Sequence, residues 1–342
     1  MCSEIKVLTK DHQKEWLEVL ERMYAYDFYH TYSYNYYYSD RNSFPILFCF
    51  NKSGIELAIP LIVRKIEKSN YYDVTSSYGY VGPLSSQPII SDEIVDEFLK
   101  ALNKYFIDNK IISAFSRLHP SLKNENLLQG LGTVLPLSQT VYINLKNSLE
   151  IQRKDFKKGV KADLSKLSKG DFLVFEDEKK QFISEFIDIY NENMERVGAK
   201  SEYFFQIPYY NAILKSKDVN SKLYFVIKDG IKIAASIFVF TGNIIQYHLS
   251  ATRFEYLKNS PVRLLIDHVR KYGFENGFHE LHLGGGVGSV EDSLFKFKSG
   301  FSENRYQFKV WRYVVNQHVY DELVQKNGDI KDPNYFPLYR SI

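Results

Sequence analysis

Two stretches of this chain read as the same hairpin, and that repeat limits the fold more than any other feature. Residues 44–63 (FPILFCFNKSGIELAIPLIV) and 223–240 (LYFVIKDGIKIAASIFVF) are each a pair of apolar runs around a short polar turn. Apolar runs of this length, bounded by turn residues, read as paired strands. Asp229-Gly230 is a strong short hairpin signal, and Asn51-Lys52-Ser53-Gly54 is its counterpart. A helical stripe precedes each hairpin, at 11–23 and 181–197. The second hairpin is followed by a strand at 244–250, a loop, a helix opened by Ser260-Pro261, and a strand at 280–283. Three glycines, a helix over 290–298 capped by Ser289, and a strand at 306–315 complete it. The first is followed by a strand at 71–77, a glycine-bearing loop at 78–83 and a helix capped by Ser91. A strand at 111–116, a short helix at 122–128 and a strand at 138–145 come after. The shared order predicts a duplication; two unrelated α/β units are the alternative. The expected fold class is α/β (α+β): two tandem domains, 1–147 and 148–342, each a mixed, mostly antiparallel sheet flanked by helices.

With 342 residues, each domain has enough chain to bury its own core. A net charge of +3 is too mild to suggest a DNA partner by bulk charge. No segment approaches the roughly 18 uninterrupted apolar residues of a membrane span. Only Cys2 and Cys49 occur, without a CxxC pair, and Cys49 reads as a small buried hydrophobe. No His/Cys set has metal-ligand spacing, since His279 and His282 would face opposite sides of a strand. The start of the chain has no signal-peptide pattern, so the expected compartment is the cytoplasm. Tyrosine is abundant, with 27 residues, many between Tyr24 and Tyr38. Such a stretch suits either a wet, partly apolar cleft or core packing.

Residues 150–169 carry seven basic and three acidic residues. Arg153, Lys157 and Lys161 share a side if the segment, 148–169, is one connecting helix. It is expected to hold phosphate, a solvated face being the alternative. Residues 320–342 read as a C-terminal tail.

The order of strands and helices resembles the GNAT superfamily of acyltransferases, and two tandem units with a basic helix between them resemble the Fem family. Those are peptidyltransferases that add amino acids to peptidoglycan precursors. Residues 283–301 (LGGGVGSVEDSLFKFKSGF) are similar to the strand-glycine-helix and FK-x-x-F segment of Fem-like acyltransferases. DFYHTYSY at 27–34, YGYVGP at 78–83 and Tyr247-His248-Leu249 are similar to small Fem-like proteins found beside polysaccharide genes. The pyrophosphate loop of single GNAT domains, Gln/Arg-x-x-Gly-x-Gly/Ala, is replaced by residues 252–260, TRFEYLKNS.

The resemblance implies direct attack of an amine on a thioester held beside the third strand of the meander. Such chemistry needs positioning, a proton acceptor and an oxyanion donor. His248, at that strand's end, has a reference pKa near 6.5 suited to the first role; a packed histidine is the alternative. Lys298, in the FK unit, is the expected oxyanion donor, with Asp292 a further catalytic candidate. Asp292 and Lys296 also read as an exposed i,i+4 ion pair. Coenzyme A, a co-substrate rather than a resident cofactor, is expected at Leu249, Ser250, Arg253, Pro261 and Arg263, where a helix N-terminus favours anions. Substrate contacts are expected from Tyr29, His30, Tyr78, Arg153, Lys157, Tyr247, Gly285 and Gly286.

The expected function is N-acyl transfer from acyl-CoA to the amino group of a nucleotide-linked amino sugar, for surface polysaccharide. The alternatives are a Fem-type transferase using aminoacyl-tRNA, or a non-catalytic carbohydrate- or peptide-binding module.

Overall fold

A computed structural model describes residues 3–328 and 330–341; Cys2 lies outside the described residues. In chain order the first elements are β1 (Glu4–Leu8), α1 (Gln13–Arg22), α2 (Tyr32–Tyr36), β2 (Ser43–Lys52), β3 (Ile55–Lys65), β4 (Tyr72–Thr75) and β5 (Leu84–Ser85). They continue with α3 (Asp92–Asp108), β6 (Ile111–Arg117), β7 (Thr133–Asn144), α4 (Leu149–Lys154) and α5 (Lys158–Leu167). Then come β8 (Phe172–Glu176), α6 (Ile183–Arg196), α7 (Ile207–Leu214), β9 (Ser221–Lys228), β10 (Ile231–Thr241) and β11 (Ile244–Thr252). The last are α8 (Val262–Glu275), β12 (Glu280–Gly284), α9 (Ser293–Lys298), β13 (Arg305–Val314) and α10 (Gln317–Asn327).

The hairpin repeat is real. β2–β3 turns on Ser53 (φ 55°) and Gly54 (φ 81°), and β9–β10 on Asp229 (φ 51°) and Gly230 (φ 77°). Two successive left-handed residues give the turn whose twist matches its strands. The chain forms two compact units, Met1–Leu137 with Gln307–Ile342, and Ser138–Tyr306. In the first, strands run β1-β2-β3-β4-β6-β13, antiparallel except for β4–β6. In the second they run β8-β9-β10-β11-β12-β7, antiparallel except for β11–β12. Strand for strand, the two sheets have one topology.

The division differs from a cut after residue 147. The strand expected to close the first domain, carried by β7, pairs through Val141–Asn144 with β12 of the second unit. The strand expected to close the second, β13, pairs with β6 of the first. Each unit is thus completed by a strand from the other half of the chain.

α3 lays Val95, Phe98, Leu102 and Phe106 on Phe48, Ile59 and Trp311 in the first core. α8 lays Leu265, Ile266 and Val269 on Tyr224, Phe238 and Leu281 in the second. The segment 148–169 is two helices rather than one. It breaks where Phe156 is buried and the Lys157 amide donates to the Gly300 carbonyl at 2.8 Å. Its residues lie in the second unit. Ser260 is left-handed (φ 51°) and no cap; Pro261 occupies the cap position of α8. Asp292, not Ser289, caps α9, accepting from the Phe295 amide at 2.8 Å.

The tail is structured. α10 buries Val319, Tyr320 and Leu323 against Ile66 and Ile112. Beyond it, Tyr339 and Arg340 reach the fully buried carboxylate of Asp73, which also accepts from Arg64 Nε at 2.7 Å. The tyrosine-rich stretch is divided: Tyr29, Tyr32 and Tyr34 are buried in the core, while Tyr24 and Tyr36 are exposed. Cys49 is half-buried, and burial pushes its thiol up to about 12.

Candidate active site in the second unit

β11 carries the irregularity that makes the site. Its register against β10 steps from Ile237↔Leu249 to Phe238↔Tyr247, leaving His248 as the extra residue of a β-bulge. Its parallel pairing with β12 ends at Gln246↔His282. From Tyr247 onward β11 has no further pairing with β12, which runs on into the glycine loop. At the last paired rung the buried His282 ring bridges Gln246 Oε1 (2.8 Å) and Thr140 Oγ1 (2.9 Å). This ties β11, β12 and β7 together at that rung.

His248 is half-buried, its Nε2 sharing a 2.7 Å hydrogen bond with the Tyr209 hydroxyl. Tyr209 is itself buried and stacked on Phe205 at 3.9 Å between ring centres. On the β12 side, Lys298 is buried and its Nζ donates to the Gly285 carbonyl at 2.6 Å. Burial lowers its pKa to about 8, against a weaker opposing pull from Asp292. Above that pH the ammonium becomes an amine.

The other expected residues divide. The Asp292 carboxylate accepts from the amides of Phe295 (2.8 Å) and Val287 (3.1 Å), which closes the glycine loop. A side chain on Gly286 would collide with that carboxylate and with the Val290 carbonyl, so the loop depends on this glycine. Gly285 supplies the carbonyl that holds Lys298. Tyr247 is buried against Phe238, its hydroxyl bonded to Ser250, and burial raises its pKa. Leu249 is half-buried on the same strand.

The helix edge expected to take phosphates is already neutralised. Arg253 pairs with Glu192 at 3.1 Å and Arg263 with Asp163. Pro261 has no amide hydrogen, and the Arg263 and Leu264 amides donate to the carbonyls of Ser260 and Pro261. Arg153 and Lys157 are exposed.

Tyr29, His30 and Tyr78 lie in the first unit. His30 is fully buried, its Nδ1 accepting from the Asp27 amide in a capping box, while Asp27 reaches His119 at 2.9 Å. Tyr29 packs on Phe28 and Tyr80. Tyr78 is exposed at the rim of a cleft. Sequence reading missed Tyr209, whose only local signal was the Ile207-Pro208 helix start. It also missed Gln246 and Thr140, which strand pairing alone brings to the buried His282.

A mixed sheet of one topology, built twice in one chain, is a tandem GNAT-like fold. Residues 153–298 match the family described as "Acetyltransferase (GNAT) domain". The structure is similar to FemX, with a TM-score of 0.73 at 13% identity, covering 93% of this chain and 99% of that one. It is also similar to a conserved protein from Bacteroides thetaiotaomicron (0.56, 9% identity, 91% and 100% covered). L-PGS from Bacillus licheniformis is a third likeness (0.54, 15% identity, 89% and 92% covered). The comparison with curated proteins gives no match. Among the described residues no helix is long and apolar enough to cross a membrane.

Proposed function

We propose that this protein is an N-acyltransferase that moves an acyl group from a coenzyme A thioester to the amino group of a nucleotide-linked amino sugar, in the cytoplasm, for surface polysaccharide. The end of the β11–β12 ladder at Gln246↔His282, with His248 in the bulge of β11 and Lys298 bonded to the glycine loop that follows β12, supports the reading. In this scheme the amine nitrogen bonds to the thioester carbonyl carbon as His248 accepts its proton. Lys298 and strand-edge amides stabilise the oxyanion, and the C–S bond breaks as the thiolate leaves. Tyr209 orients the His248 ring. Substrate contacts in this unit come from the edge formed by Tyr247, Leu249, Ser250, Gly285 and Gly286.

A second reading, Fem-type transfer from aminoacyl-tRNA, is favoured by one observation: Arg253 and Arg263, expected to meet coenzyme A phosphates, each already hold a carboxylate. Mass spectrometry of products from acyl-CoA with UDP-linked amino sugars, run beside aminoacyl-tRNA, separates the two. An acylated sugar nucleotide with release of free coenzyme A is expected. Transfer from aminoacyl-tRNA alone would replace the first reading with the second, and ligand binding without turnover of any donor would leave a binding module.

A further inference from the structure

With Arg253 and Arg263 engaged, the guanidinium groups open to an anion lie elsewhere. In the first unit a cleft of ≈ 500 Å³ opens on the sheet face, with Arg64, Arg117 and Arg312 among its lining residues. Its size is that of a small-molecule site. Arg64 is spent on Asp73. Among the described residues Arg117 and Arg312 have no such carboxylate. Arg117 stands between the rings of Tyr78 (5.4 Å) and Phe115 (5.3 Å). Arg312 lies over Phe336 (5.6 Å), donates from Nη2 to the Asn334 carbonyl at 3.2 Å, and has a buried Nε without a hydrogen-bond partner.

The register explains why these two belong together. Arg312 is the cross-strand partner of Phe115, two residues from Arg117 on the same strand. Residues two apart share a face, so the guanidinium groups stand as diagonal neighbours above one sheet. Two like charges on one face of neighbouring strands repel, and an anion between them removes the repulsion. The lining carboxylates do not serve: Asp40 accepts from the Asn42 amide (2.6 Å) and Asp332 from the Asn334 amide (2.9 Å), each within its own turn. A ring-stacked guanidinium keeps its N–H edge for a bidentate partner, the geometry of a phosphate oxygen pair.

We infer that this cleft binds a phosphate ester through Arg117 and Arg312, and, resting on the acceptor reading above, that its ligand is the diphosphate of the nucleotide-linked sugar. The rings of Tyr78 and Phe336 then pack against the sugar or base.

Isothermal titration of the full chain with pyrophosphate, UDP, glutarate and coenzyme A tests this. Pyrophosphate and UDP should bind, more weakly as salt rises, and Arg117→Gln and Arg312→Gln should each weaken both about tenfold or more. Arg117→Lys and Arg312→Lys, which keep the charge and lose the fork, should also weaken binding. They carry the test if a glutamine variant fails to fold by circular dichroism. Unchanged pyrophosphate affinity in the folded variants overturns the site, and glutarate binding as tightly as pyrophosphate overturns the phosphate class. Coenzyme A affinity falling in parallel with that of pyrophosphate overturns the acceptor assignment. If pyrophosphate binding depends on both arginines while no sugar nucleotide is acylated, the site stands and the acceptor reading falls.

Discussion

The Tyr209 hydroxyl and His248 Nε2 lie 2.7 Å apart, which joins a helix that precedes the second hairpin to the bulge that follows it. The bulge aims the imidazole, and the buried phenol fixes its ring. A positioned general base is worth about 10²–10⁴-fold in rate. His248→Ala should lower turnover by that order with little change in donor affinity. Tyr209→Phe removes only the orienting bond, so it should give a smaller loss and move the acidic limb of the pH profile. Wild-type turnover and an unchanged limb in both variants would reduce the pair to a packing contact.

Lys298 is expected to shape the opposite limb. Its pKa of about 8 means the ammonium is lost as pH rises through that value, so turnover should fall above it. Lys298→Met should cost about 10²–10³-fold, the usual effect of deleting one oxyanion donor. The stability effect has the other sign. Between the folded value and the ordinary 10.5 the unfolded chain binds more protons, so this residue's contribution to stability rises with pH across that window. Removing the buried charge should therefore leave the melting temperature at pH 7 unchanged or higher.

Asp292 separates shape from chemistry. As a cap it should contribute about 1 kcal/mol, and Asp292→Ala should lose roughly that much in urea unfolding. Asp292→Asn keeps an oxygen acceptor and should retain most of both stability and turnover. A turnover loss for Asp292→Asn matching that of His248→Ala would restore the carboxylate to the chemistry.

The tail is held by one carboxylate. Asp73 is fully buried and meets Arg64, Tyr339 and Arg340. Removing one member of a buried ionic group costs about 3–5 kcal/mol. Asp73→Ala should lower stability by that order, and limited proteolysis should then cleave near α10 first. Equal resistance in the variant would mean that Val319, Tyr320 and Leu323 suffice to hold the tail.

His30 sets an acid limit. Burial, with the nearby His119, pushes its pKa down to about 4, so the folded state refuses a proton that the unfolded chain accepts below about 6.5. Its contribution to stability is whole above that value and is lost as pH falls toward 4, by about 3 kcal/mol in all. Urea midpoints of the wild type should drop between pH 7 and pH 4.5, and His30→Asn should flatten the drop. An equal drop in both would assign it to other groups.

Elements governed by neighbours in the chain were legible. Ser53-Gly54 and Asp229-Gly230 announce their turns because their left-handed backbone is cheap mainly for Gly, Asn and Asp. α3 and α8 show in their apolar stripes because a helix buries residues three and four apart. β1 and β8 escaped notice because each is a five-residue edge strand whose pairing comes from one neighbour. α7 escaped because its interior is apolar nearly all round, without a stripe.

By itself, then, the sequence determined that the chain would build one hairpin-and-helix pattern twice, and it marked His248 and Lys298 as worth following. The tertiary structure decided the rest. It chose which sheet receives β7 and which receives β13, since their apolar residues suit either edge and only burial against a distant partner selects one. The same holds for charge. The sequence cannot distinguish Arg253 and Arg263 from Arg117 and Arg312, because an arginine's availability depends on whether a carboxylate from far along the chain stands beside it. Glu192 and Asp163 occupy the first pair, while Arg117 and Arg312 are left against aromatic rings, one strand apart on one face.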